Sequence, residues 1–180
     1  SKVERDTDGR TVYPDFSALA AQAGAGYDAL AQQSDAFTGG LGSVKPLAAW
    51  QLFSQTGTTG IFVCLTAEAC VNPDTYTVWI PFTMCHELAH RQAVAAEDEA
   101  NFCAYLACMA SGNDDFGYSG AFGAYIYCHN ALSAVDRQAA SEIWSTLSDS
   151  VAADVRAANE HYAQYEGKVQ DAAQKVNDTY

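Results

Sequence analysis

Basic residues are scarce in this 180-residue chain: 9 Lys and Arg stand against 22 Asp and Glu, a formal net charge of −13. A surface of that sign repels phosphate backbones and anionic lipid headgroups, which argues against nucleic-acid and membrane-surface binding. No apolar stretch approaches the roughly 20 residues that span a bilayer; the longest nearly apolar run is ANFCAYLACMA. The opening SKVERDTDGR has no apolar core, so no signal peptide is expected there. The chain as given is expected to be soluble, and it can equally be a piece cut from something longer. With no internal repeat, low-complexity tract or linker, a single domain over residues 1–180 is expected. None of the six cysteines forms a C-x-x-C pair, which leaves zinc-ribbon and thioredoxin readings without support. Small buried thiols are the simpler expectation; a local Cys64–Cys70 disulfide is the alternative.

What the chain does have is a core: 49% of its residues are hydrophobic and 12% aromatic. After an irregular arm at 1–15, one helix is expected from Phe16, with Leu19, Ala23, Tyr27 and Leu30 on the same stripe. FTGGLGSVKP reads as a loop. GIFVCL at 60–65 and TYTVWI at 75–80 read as strands, VNPD between them carrying the turn. Pro81 then ends the second strand and Thr83 can cap a helix carrying CHELAH. A helix from about Glu97 is apolar almost all round and should be buried. SGNDDFGYSG reads as a loop, AFGAYIYCHNAL as a buried helix, and Asp136 opens a shorter amphipathic helix to Trp144. The last helix is expected to be the longest, its stripe running Val151, Val155, Ala158, Tyr162, Tyr165, Val169, Ala172, Val176. It should pack along the domain, against the Phe16 helix; a dimerising coiled coil is the alternative to a monomer. The fold class expected is α+β, mostly helical, with a small β-sheet and a long C-terminal helix.

The chemistry concentrates in MCHELAHRQAVAAEDEANF. Positions four apart share a helix face, so His86 and His90 can present their imidazoles to one ion, with Glu87 beside it and free to act as a base. This is the H-E-x-x-H arrangement of zinc peptidases, in which zinc lowers the pKa of a water molecule and the glutamate takes its proton. A catalytic zinc takes three protein ligands, and Glu97 and Glu99 are the candidates for the third. Glu97 is preferred, because Asn101 lies four residues on along its face and can orient a ligating histidine. Asp98 reads as facing solvent. Tyr118 is a candidate phenol donor to an oxyanion, or a loop aromatic packed on the core. Glu68 can line the cleft, bind a substrate amine or cap a turn. His129 reads as a core histidine and His161 as a surface one.

Several blocks in order, KPLAAWQLFSQTGTTGIF, TAEACVN, IPFTMCHELAH, EDEANFCAYLACMAS, YSGAFGAYIY and VNDTY, resemble an uncharacterised bacterial family within the zincin-like metallopeptidases. The resemblance runs from about Thr11 to the C-terminus. It implies a zincin-like core, Zn2+ held by His86 and His90, and Glu87 as the base. It also implies a membrane-anchored protein whose domain faces the outside of the cell. EDEAN is similar to the glutamate helix of integral-membrane prenyl-protein proteases, which places the third ligand on Glu97. One departure stands out: where the family runs H-Q-x-G-F, this chain has His90, Arg91, Gln92, Ala93, Val94. Loss of that glycine is expected to alter the turn between the two helices. A metallopeptidase with a peptide or protein substrate is the leading expectation. A non-catalytic zincin-like module binding a cell-envelope partner and a zinc amidase of cell-wall material are the alternatives.

Overall fold

Residues 3–13 and 15–165 are described in a computed structural model. The arm folds back through a turn at Gly9 into a single bridge between Arg5 and Thr11, and buries Val3 and Tyr13. The stripe read from Phe16 is carried by two helices, α1 (Phe16–Gln22) and α2 (Ala25–Ala31), parted at Gly24. Gly26 lets α2 press its backbone onto a later helix, since a Cβ there would sit 1.9 Å from the Ala107 carbonyl oxygen.

The sheet has three short strands, β1 (Lys45–Pro46), β2 (Gly60–Val63) and β3 (Glu68–Val71), with helix α3 (Trp50–Ser54) between the first two. Their order is β1-β3-β2, with β1 parallel and β2 antiparallel to β3. β3 is the central strand and buries Ala69, Cys70 and Val71. TYTVWI is not a strand. Thr77–Trp79 form a 3-10 turn that runs directly into α4 (Ile80–Arg91). Pro81 falls in the first turn of that helix, where its fixed φ and missing N–H favour initiation, so it starts α4 instead of stopping a strand. Thr83 lies inside α4 and is buried.

α4 lies between the sheet and the helices that follow, α5 (Glu97–Ala110) and α6 (Asp114–Val135). Its Met84, Cys85 and Leu88 join Tyr27, Cys108 and Phe116 in the fully buried core, and the Tyr27 hydroxyl donates to the Cys85 carbonyl at 2.9 Å. The expected loop at SGNDDFGYSG is mostly helix: the Asn113 side chain accepts from the Asp115 and Phe116 amides and caps a 22-residue α6. Asp136 caps α7 (Arg137–Trp144) in the same manner. α8 (Asp149–Ala163) is capped by Ser148. It packs Val155 against Val78 and Phe122, not against α1. Val169, Ala172 and Val176 of its expected stripe lie outside the described residues.

A buried carboxylate ties α8 to the arm. Asp154 is fully buried and accepts from the Thr11 amide (2.7 Å), the Thr11 hydroxyl (2.7 Å), the Tyr118 hydroxyl (2.6 Å) and the Arg5 guanidinium (2.9 Å). All six cysteines are free; Cys70, Cys85 and Cys108 are buried, while Cys64 and Cys128 are exposed. A Cys64–Cys70 disulfide is excluded by register, because Cys70 stands opposite Ile61 and not opposite Cys64. The architecture is therefore mostly helical with one small three-stranded sheet, an α+β arrangement. Among the described residues, no helix is long and apolar enough to cross a membrane.

Candidate metal centre

The last two turns of α4 carry His86 and His90 on one face. The helix then closes with paired reverse bonds: the Ala93 amide donates to the His90 carbonyl at 3.0 Å and the Val94 amide to the Ala89 carbonyl at 3.2 Å. Such a closure needs a left-handed residue, and Ala93 takes it with φ 68°. The turn thus forms without the expected glycine. It also delivers the Val94 carbonyl to His90, whose Nδ1 lies 2.7 Å from it. Ala96 then extends the chain, and Glu97 opens α5 facing back toward α4.

Three donor atoms converge. The Nε2 atoms of His86 and His90 are 3.0 Å apart, and Glu97 lies 3.1 Å from the first and 3.5 Å from the second. Ligands about 2.0–2.1 Å from a tetrahedral ion lie about 3.3–3.4 Å from one another, so the spacing suits a first-row divalent cation. The other ring nitrogens face acceptors: His86 Nδ1 is 2.9 Å from Asn101 Oδ1, and His90 Nδ1 faces the Val94 carbonyl. Each Nδ1 therefore carries its proton, which leaves the Nε2 lone pairs aimed at each other and at a carboxylate. That array is repulsive until a cation or a proton sits in it. Burial, and then the neighbouring His90, push the His86 imidazole below its ordinary pKa, which keeps it a lone-pair donor.

Among the described residues the donor set stops at three. Glu99 points toward Phe102 and Cys103 on another face of α5, Asp98 is exposed, and the Cys85 thiol is turned into the core toward the Ala23 carbonyl. Three protein donors leave a coordination position open to water or substrate, as in catalytic and not structural sites.

Glu87 stands beside the cluster, 4% exposed, with Oε2 unpartnered. Burial, reinforced by Glu97, pushes its carboxyl up to about 8. It fits there because the first residue of β2 is glycine: a Cβ at Gly60 would come within 2.3 Å of Glu87 Oε1. Among the described residues β2 has β3 on one side only, and it borders the cleft of about 1580 Å³ that holds His86, Glu87, His90 and Glu97.

Two expected site residues lie elsewhere. Tyr118 is in the second turn of α6, not in a loop; its hydroxyl is committed to Asp154 and its ring lies under the Arg5 guanidinium at 5.1 Å. Glu68 pairs with Lys45 and Thr66 at the exposed end of β3, and Lys45 holds its carboxyl below the ordinary value. His129 stacks on Tyr125 and Trp144, and its buried Nε2 has no partner. His161 is half-buried against Tyr76, 3.8 Å from Asp74. Two other tyrosines line the cleft, Tyr162 and Tyr127, and the Tyr127 hydroxyl donates to Asn101 Oδ1 at 3.2 Å. A tyrosine near the apolar end of AYIYCHN is the signal that marks Tyr127 in the sequence. No signal marks Gly60 or the Val94 carbonyl, since each matters only through a contact.

No curated protein and no solved structure matches the chain. A family model described as a protein of unknown function (DUF3810) matches residues 1–180. A match over the full length places the chain in that family, and it belongs to the DUF3810 proteins.

Proposed function

We propose that this chain is a zinc-dependent metallopeptidase domain. The observation that carries the reading is a three-donor cluster, His86, His90 and Glu97, beside a buried glutamate whose Oε2 has no partner. A purely structural ion has no use for such a glutamate. Zinc held by these donors would polarise a peptide carbonyl and make a water molecule more acidic. Glu87, beside the cluster, takes the proton of the attacking water and returns it to the departing amine. Asn101 and the Val94 carbonyl hold the two imidazoles in the ligating tautomer. The open side of β2 can hold an extended peptide by adding it as a strand, which brings a backbone carbonyl alongside Glu87. Tyr127 lines the same cleft, and its hydroxyl supports the Asn101 oxygen that faces His86 Nδ1.

The test is metal content by plasma mass spectrometry on protein purified without a metal-affinity tag, wild type beside Glu97→Ala, followed by peptide hydrolysis by wild type and Glu87→Gln. The expected result is about one zinc per chain, sharply weakened in Glu97→Ala, and zinc-dependent hydrolysis that disappears in Glu87→Gln. Zinc binding with no hydrolysis of any peptide would leave a non-catalytic module.

A further inference from the structure

One turn before His86, the cleft changes character. Trp79 and Phe82 form its floor on that side, Phe122, Ile126 and Tyr127 of α6 rise beside them, and Tyr162 of α8 closes the far wall. The rings form one surface: Trp79 lies 5.3 Å from Phe122, 5.7 Å from Phe82 and 6.2 Å from Tyr127 between centroids. Phe82 and His86 are four residues apart on α4, so they share a helix face with about 5–6 Å between their Cβ atoms, and the aromatic surface adjoins the residue that carries the first donor.

The charges in the cleft are as telling. Among the described residues that line it, Glu87 and Glu97 are the only acids, and no lysine or arginine is present. A free substrate carboxylate would need a cation to hold it, and a free ammonium would need an acid not already engaged with the metal cluster. Neither is there. The wall leading into β2 is uncharged and mixed, with Leu52 and Phe53 beside Thr56, Thr58 and Thr59.

We infer that the cleft takes an internal segment of an extended peptide and seats a large apolar or aromatic side chain next to the bond presented to the His86–His90–Glu97 cluster. The inference rests on the peptidase reading for the chemistry, but the selectivity belongs to the cleft itself. It assigns an endopeptidase specificity and disfavours substrates recognised through a free terminus or a carboxylate.

Binding is measured first, by calorimetry with full-length, zinc-loaded Glu87→Gln protein, so that no turnover intervenes. The probe is an acetylated and amidated hexapeptide with a central Phe, compared with the same peptide carrying Ala or Asp and with its free-ended form. Burying the Phe ring predicts a dissociation constant about 10- to 100-fold lower than for Ala. Asp should bind no better than Ala, and freeing the ends should not improve affinity. Ile126→Asp should abolish the Phe preference; where that variant does not fold, the milder Ile126→Ala should reduce it. Equal affinity for Phe and Ala, or a requirement for a free terminus, would overturn the inference. The same peptides are then incubated with zinc-loaded wild type and read by mass spectrometry. Selective binding without cleavage sinks the peptidase reading and spares the cleft assignment; cleavage without Phe selectivity does the reverse.

Discussion

Ala93 offers a sharp check on how the candidate metal site is built. It is an L-residue with a side chain held at φ 68°, where Cβ crowds the following carbonyl at a cost of about 1–2 kcal/mol. Ala93→Gly removes that cost and adds back about 0.5–1 kcal/mol of unfolded-state entropy. The net expectation is stabilisation of about 0.5–1 kcal/mol, a rise in Tm of about 1–4 °C for a domain of this size. Urea and thermal unfolding followed by circular dichroism, in EDTA so that no ion contributes, would measure it. Ala93→Pro is the companion. Its ring fixes φ near −65° and removes the amide that donates to the His90 carbonyl. With the turn broken, the Val94 carbonyl no longer holds His90 Nδ1, and zinc affinity should drop about 10- to 100-fold. A destabilised Ala93→Gly, or an Ala93→Pro that binds zinc like wild type, would refute the turn-to-ligand argument.

Glu87 should give the metal-free protein a stability that falls with pH. Its folded pKa is raised to about 8, so the folded state binds the extra proton in the window from its unfolded value up to about 8, and stability is lost as pH rises through it. Urea midpoints at pH 6 and pH 8 should therefore diverge more in wild type than in Glu87→Gln; equal slopes would show that Glu87 is not buried as described. Asp154→Ala strands Arg5, Thr11 and Tyr118 and should cost about 3–5 kcal/mol, while Tyr118→Phe should cost about 1.5–3 kcal/mol and leave zinc-dependent hydrolysis intact. Loss of hydrolysis in Tyr118→Phe at unchanged stability would return Tyr118 to the site. Gly60→Ala should retain zinc but lose hydrolysis, because the new Cβ displaces the Glu87 carboxylate; an active Gly60→Ala would contradict that contact.

The elements of the site that are legible in sequence are those set by local spacing. His86 and His90 share a face because they are four apart on one helix, and Glu97 with Asn101 repeats that logic on the next. What escapes is what depends on non-local partners. TYTVWI has the β-branched and aromatic content of a strand, yet burial of Val78 and the placement of Pro81 in a first helical turn prevail. The true strand, EACV, is only four residues long and is specified by pairing with β1 and β2 on either side. Tyr118 is misplaced by the Gly- and Asp-rich run before it, which resembles a loop. The Asn113 cap and the acids Asp114 and Asp115 in the first turn are a helix start instead. Gly60 and Glu87 are 27 positions apart, so their contact leaves no mark in either local pattern.

The unequal exposure of the three donors bears on how an ion would come and go. The His86 and His90 side chains are 13% and 15% exposed, whereas that of Glu97 is 77% exposed. The histidines are already oriented by Asn101 and Val94, and the fold around them is closed by its own backbone bonds. An ion would therefore enter and leave by way of the carboxylate, with no unfolding step in its path. Exchange of this kind proceeds by stepwise ligand displacement and is hastened by a chelator that can take the open position. Occupancy then tracks the free metal in the compartment, and which divalent ion fills the site is decided by supply as much as by the protein.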